Sequence, residues 1–182
     1  MPGTQIALIR GINVGRAKRI AMSELRALVE ELGYGNVRSL LNSGNIVFTT
    51  PRAAPGNAPA RIEESIRERL GVNARVTVLS AAELAAAVND NPLCKIADNP
   101  SRLLVAVLNK PTDRAKLAAL LKQDWKREVI AVGERVAYLW CADGILASSL
   151  LQSVARTLGD GVTSRNWATM LKLHAMANDQ KT

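Results

Sequence analysis

Three short clusters combine the residue types that bind anions without a metal. Arg10-Gly11-Ile12-Asn13-Val14-Gly15, with Lys18 and Arg19 just beyond, joins positive charge to glycines that let a ligand approach backbone N–H groups. Asn42-Ser43-Gly44-Asn45 sets side chains that donate or accept hydrogen bonds around another glycine. Thr163-Ser164-Arg165-Asn166-Trp167 puts an arginine after two helix-capping residues, where Thr163 or Ser164 as N-cap leaves free N–H groups and a positive dipole end for an anion. The binding candidates are therefore Arg10, Asn13, Gly15, Lys18, Ser43, Asn45, Arg165 and Asn166. Each cluster also has a plain reading, since Asn, Ser and Gly satisfy hairpins and caps with no ligand present.

Other chemistry is harder to assemble. His174 is the single histidine and has no partner spaced for a triad or a metal pair. Cys94 and Cys141 show neither a CxxC spacing nor a nearby histidine, so they read as buried or half-buried free thiols, with no metal and no cofactor. Glu63, Glu64 and Glu68 alternate with Arg61, Arg67 and Arg69 as a solvated helix face. Arg10 to Gly15 has too few glycines for a dinucleotide fingerprint. Whether the chain is an enzyme stays open; a reaction would have to rely on positioning and charge from Arg10, Asn13 and Arg165, as phosphoryl transfer can.

Composition sets further bounds. At 182 residues, 48% of them hydrophobic and 22% charged, the chain reads as an ordinary globular protein of one or two domains. The net charge of +8 favours polyanions, and residues 1–50 carry six Lys or Arg against three acids. Aromatics amount to one Phe, two Tyr and three Trp, and Phe48 alone falls in a strand of the first half, which disfavours base stacking on a sheet. No secretion signal and no membrane-length apolar run is visible, so a cytoplasmic location without a membrane partner is expected. Nothing in the sequence bears on the oligomeric state.

The elements that must position these clusters follow from periodicity. Ile6 to Ile9 suits a buried strand, and Met22, Leu25, Leu28, Val29 and Leu32 line one helix face that stops at Gly33. Val37 to Leu41 and Ile46 to Thr49 form a hairpin about Asn42 to Asn45, Pro51 to Pro59 reads as a mobile loop, and Ile62, Ile66 and Leu70 stripe a second helix. Arg75 to Leu79 is a fourth strand, and Ser80 to Glu83 fits a capping box that opens a linking helix ending before Asn91-Pro92. The order then repeats: strand Leu103 to Leu108, a helix from Pro111 through Leu121, strands Glu128 to Val132 and Arg135 to Trp140, a helix capped by Ser148 or Ser149, and a minimal strand Gly161 to Thr163. A last helix from Arg165 should pack through Trp167, Met170 and Leu171.

This order predicts an α+β chain of two ferredoxin-like βαββαβ halves, residues 1–80 and 101–182, joined by a linking helix and loop over 81–100, with an added C-terminal helix. A right-handed crossover would bring the loop after the first strand and the 42–45 hairpin to one end, with the loop around Gly71 to Asn73 beside them.

Taken together, Arg10 to Gly15, Met22 to Arg26, Ser43-Gly44-Asn45 with Val47-Phe48, Asn91-Pro92 and Thr163 to Trp167 resemble domain-of-unknown-function family 1697, in order along nearly the whole chain. The resemblance implies a compact bacterial α+β protein with duplicated ferredoxin-like halves, and it implies no activity. This chain departs from the family pattern at Arg16 (a second glycine in the family), Ala21 (proline) and Asn42 (glutamine). The expected function is binding of a phosphate-, nucleotide- or nucleic-acid-like anion at the loop clusters. The alternatives are an enzyme using the same polar groups and a protein-interaction or structural module with no small ligand.

Overall fold

The apolar run that opens the chain becomes β1 (Gly3–Arg10), in which Ile6, Ala7, Leu8 and Ile9 are all buried, so both faces of the strand are covered. The computed structural model describes residues 3–15, 19–51 and 56–179. After β1 come α1 (Met22–Glu31), β2 (Gly35–Leu40), β3 (Asn45–Thr50), α2 (Ala58–Leu70), β4 (Arg75–Ser80) and α3 (Ala81–Asn89). The second half runs β5 (Leu103–Leu108), a 3-10 segment (Pro111–Leu117) with one α turn, α4 (Ala118–Leu121), β6 (Val129–Val132), β7 (Val136–Trp140), α5 (Ser149–Leu158), β8 (Val162–Asn166) and α6 (Trp167–Asn178). The chain forms two units, Met1–Leu84 with Lys172–Thr182, and Ala85–Leu171, whose boundaries fall inside α3 and α6.

In the first unit the sheet order is β2-β3-β1-β4, and every neighbouring pair is antiparallel. Ala7, Ile9, Ile46, Phe48 and Val76 face Leu25, Leu28 and Val29 of α1 and Ile62 and Ile66 of α2 in one core. Tyr34 and Phe48 pack ring to ring with centroids 4.8 Å apart, and Arg61 donates to the Tyr34 hydroxyl and, at 2.9 Å, to the Leu32 carbonyl at the end of α1. The other face carries Ile6, Leu8 and Val47, and Arg38, which pairs with Val47, donates to the Met176 carbonyl, so the end of α6 lies on that face. The capping box is present: the Ser80 N–H donates to Glu83 at 2.8 Å and the Glu83 N–H to Ser80 Oγ at 3.1 Å. Asn57 caps α2 and Pro59 sits in its first turn. Residues 52–55 of the loop expected between Pro51 and Pro59 lie outside the described residues.

In the second unit the order is β6-β7-β5-β8, again antiparallel throughout, so the two sheets share the same arrangement of first, second, third and fourth strands. Leu104, Ala106, Leu108, Ala137 and Leu139 face Leu150, Val154 and Leu158 of α5. On the opposite face the Tyr138 hydroxyl donates to the Ala87 carbonyl of α3 at 2.8 Å. Ser148 caps α5 by accepting the Leu151 N–H at 2.9 Å.

Several expectations need correction. The segment from Pro111 winds as a 3-10 helix through Leu117 and leaves only Ala118–Leu121 as α, because buried Asp113 and Leu117 anchor a tight turn rather than a regular apolar stripe. The minimal strand is longer, Val162–Asn166, and α6 begins at Trp167 rather than Arg165. Leu171 stays 42% exposed, while Thr169, Met170, Leu173 and Ala177 are the buried residues of α6. Cys141 is buried as expected, but Cys94, just past the Asn91-Pro92 turn, is exposed.

Two outcomes follow. A Cβ on Gly44, whose φ is +78°, would lie 2.9 Å from both Ile12 Cδ1 and Ile9 Cβ. Gly44→Ala should therefore cost about 2–4 kcal/mol in urea unfolding, combining overpacking with a left-handed backbone. Burial, followed by the charges of Asp90 and Cys94, pushes the Tyr138 phenol up from 10 to about 12. The folded state thus holds this proton longer than the unfolded chain, so its contribution is intact below pH 10 and is lost as pH rises from 10 through 12. Tyr138→Phe should flatten the fall in thermal stability over that window.

Candidate functional site

At one end of the first sheet the loop after β1, the β2–β3 turn and the residues before β4 come together. The link is the Asn13 side chain. Its Oδ1 accepts the Ile20 N–H at 2.7 Å, while Nδ2 donates to the Ile20 carbonyl at 3.0 Å and to the Asn42 carbonyl at 2.9 Å. The carboxamide acts as a peptide group would in a sheet, closing the loop onto Ile20 and tying it to the turn. Ile20 is 4% exposed and belongs to the core, so the loop is held from inside. The Ile9 N–H donates to the Gly44 carbonyl at 2.8 Å, and a Cβ on Gly11 would lie 3.3 Å from the Asn73 carbonyl oxygen. The loop after β1 is thus within contact distance of both the β2–β3 turn and the residues before β4.

The turn is held by Asn45, fully buried, whose Nδ2 donates to the Leu40 carbonyl and to Ser43 Oγ, both at 3.0 Å. Both amide hydrogens of Asn13 and of Asn45 are engaged within the protein. These side chains therefore shape the loops, and their amide hydrogens are not left for a ligand. Gly11, Asn13 and Gly15 have φ of +87°, +54° and +57°, with Ile12 and Val14 between them outside the left-handed region. Where the residues between are right-handed, such alternation turns successive N–H groups toward one side, the geometry of an anion-binding nest. Among the described residues, no protein acceptor meets the N–H groups of exposed Gly11, Val14 or Gly15.

Positive charge flanks the loop. Arg10 ends β1 directly opposite Arg75 of β4, and Arg19, next to buried Ile20, is exposed. The acids at this end are occupied: Glu63 accepts the Val76 N–H at 2.8 Å and lies 3.8 Å from Arg75, and Glu24 accepts the Ala21 N–H at 3.2 Å. Lys18 lies outside the described residues. Leu41 in the turn was not among the sequence candidates. Its φ of +58° is a left-handed conformation that leucine adopts at a cost, and no feature of its sequence context flags it.

Arg165 and Asn166 belong to the second unit, and the loops described above to the first. The N-cap of α6 is Asn166, whose Oδ1 accepts the Thr169 N–H at 2.9 Å, in place of the expected Thr163 or Ser164, because the strand continues through those residues. Arg165 sits on β8 opposite Val105 and donates to the Ser164 carbonyl at 2.9 Å. Burial lowers its guanidinium to about 10, so it remains charged at neutral pH.

The second unit also holds a cleft of about 290 Å³ between the Trp125 to Glu128 segment and the start of α5. Among its charged residues Arg127 pairs with Asp143 at 2.6 Å, and Glu128 accepts from Ser149 Oγ at 3.0 Å and the Leu150 N–H at 3.1 Å. Glu128 thus occupies the helix N-terminus that an external anion would use. His174 lies one turn before Asn178 and within 3.2 Å of its side chain. Among the described residues no cluster of three or more His, Cys, Asp and Glu side chains could hold a metal, and no helix is long and apolar enough to cross a membrane.

A family model described as protein of unknown function (DUF1697) matches residues 3–138. The chain is similar in fold to a conserved bacterial protein from Streptococcus pneumoniae, with a TM-score of 0.73 and 23% identity over 98% of this chain and 99% of that one. No curated protein matches it.

Removing the Asn13 clamp tests its structural weight. Asn13→Ala should cost about 2–3 kcal/mol, from three lost hydrogen bonds and an orphaned Ile20 peptide group, and should speed amide exchange at Ile20. Asn13→Gly keeps a residue at ease with φ +54° and should be nearly as costly; a neutral Asn13→Gly would show that the clamp contributes little.

Proposed function

The chain belongs to the DUF1697 family of proteins of unknown function, and from the loop end of its first unit we propose that it is a binding protein for a small anionic group, a phosphate or a carboxylate. The observation that carries this reading is the alternation of left-handed residues at 11, 13 and 15, immediately after Arg10. Such a loop offers N–H donors to one oxygen-rich group, and Arg10 would supply a charge-assisted contact. In this reading Asn13, Ser43 and Asn45 act as positioning residues that keep the N–H groups aimed outward. Gly11 and Gly15 present backbone with no side chain in the way.

Arg165 and Asn166 take no part in this site as we read it, because their hydrogen bonds serve β8 and the start of α6. Nucleotides and nucleic acid remain sources of the same phosphate chemistry, supported by the net charge of +8. We read the protein as cytoplasmic, from two thiols that remain free. The shared order of the two sheets supports reading both units as ferredoxin-like and as duplicates of one another.

Thermal unfolding with increasing inorganic phosphate at constant ionic strength tests the proposal. The expected result is a saturable rise in Tm, since a ligand at about 100 times its Kd stabilises by about 2.7 kcal/mol. Arg10→Ala should weaken the apparent affinity by about tenfold or more. A rise of equal size and midpoint in Arg10→Ala would refute the site.

A further inference from the structure

We propose that β6 is a docking edge for a second copy of this chain, the two β6 strands pairing antiparallel and joining two sheets into one. The inference concerns the second unit alone and is independent of the anion site.

A sheet edge offers unpaired N–H and C=O groups to another strand unless something blunts it. Three of the four edges here are blunted. β2 is broken by a bulge between Gly35 and Arg38, and β4 has its Val76 N–H taken by Glu63 and its Ser80 N–H by Glu83. β8 carries Arg165 among polar residues and runs straight into α6. Apart from its shortness, β6 has none of these devices: Val129-Ile130-Ala131-Val132 holds no charge, no proline and no bulge.

The exposure of β6 follows the edge and not a face. Ile130 and Val132 pack on the α5 side of the sheet and Val129 and Ala131 alternate with them, yet all four are partly exposed, while every residue of neighbouring β7 is buried. The Gly133 N–H donates to the Val136 carbonyl, which sets the phase of the ladder. Residues 129, 131 and 133 bond β7, and Ile130 and Val132 turn their N–H and C=O groups away from it. Among the described residues no acceptor meets those two N–H groups.

Charge selects the occupant. The chain approaches β6 through Lys126 and leaves it at Glu134; both are exposed, and among the described residues neither side chain has an ion-pair partner. Antiparallel pairing with Ile130 opposite Ile130 brings Lys126 of each copy level with Glu134 of the other, and puts the outward groups of Ile130 and Val132 in bonding phase. Pairing with Ile130 opposite Val132 would instead bring Glu134 level with Glu128, and parallel pairing would bring like charges together at both ends. An unrelated apolar peptide would satisfy the edge and leave both charges unanswered.

The test is sedimentation velocity of the full chain at concentrations up to about 1 mM, with amide exchange followed at Ile130 and Val132. The expected result is a concentration-dependent dimer in which those two amides slow as the dimer fills. Lys126→Glu or Glu134→Lys alone sets like charges together and should weaken the dimer by about tenfold. An equimolar mixture of the two variants should recover it, because each then offers the charge the other lacks. Both positions are exposed, so each variant should unfold at the wild-type temperature when dilute.

A chain that stays monomeric throughout would overturn the proposal. So would a dimer in which Ile130 and Val132 exchange as fast as in the monomer, a dimer that ignores the single substitutions, or variants whose mixture associates no better than either alone.

Discussion

One carboxamide holds the loop end of the first unit in place. Asn13 bonds both the N–H and the carbonyl of Ile20 and reaches across to the Asn42 carbonyl, so a single side chain closes one loop and fastens it to another. The constraint behind it is backbone satisfaction: a chain that leaves a strand and does not enter a helix until Met22 must find partners for its peptide groups. Asn13 supplies them for Ile20, which then seats its side chain in the core ahead of α1. With that seat fixed, Gly44 fits beneath Ile9 and Ile12, and the left-handed residues 11, 13 and 15 are held in one arrangement rather than sampling many. The asparagine thus works from within, and its own hydrogen-bonding capacity is not left for a ligand.

The rest of the first unit supports this end by ordinary packing. Its central strand is apolar on both faces, with Ala7 and Ile9 against the helices and Ile6 and Leu8 on the other side, so the strand has no tolerance for a register shift. Register fixes Arg10 opposite Arg75 at the end of the ladder. There Arg75 lies 3.8 Å from Glu63, so an acid already stands at this end of the ladder. The second unit repeats the strand order but puts its charges to different use, with Glu128 filling the N-terminus of α5 and Arg127 held by Asp143. Similar architecture therefore carries a polar loop end in one unit and a cleft holding the Arg127–Asp143 pair in the other.

Much of this was legible from residue patterns. The strand Leu103–Leu108, the stripe of Ile62 and Ile66, the Ser80 and Ser148 caps and the meeting of the 10–15 and 42–45 loops all follow from periodicity, capping chemistry and crossover handedness. What was hidden depends on contacts distant in sequence. Thr163 and Ser164 are good cap residues, yet pairing with β5 draws them into β8 and passes the cap to Asn166. The Pro111 segment has helical spacing but winds as 3-10 around buried Asp113. No local rule puts a leucine in a left-handed turn, so Leu41 could be found only in three dimensions. Asn13 was legible as a polar loop residue, and its direction, inward to Ile20 rather than outward, was not.

In the proposed function the backbone of residues 11–15, held by Asn13 and preceded by Arg10, is the surface that meets an anion. The most direct measurement is an amide-resolved ¹H–¹⁵N NMR titration of the full chain with inorganic phosphate. Saturable shifts concentrated on the amides of Gly11, Val14 and Gly15 are expected, with the amides of Ser164 and Asn166 unmoved. Shifts centred on the second unit, or none at phosphate concentrations that leave the spectrum otherwise intact, would contradict it.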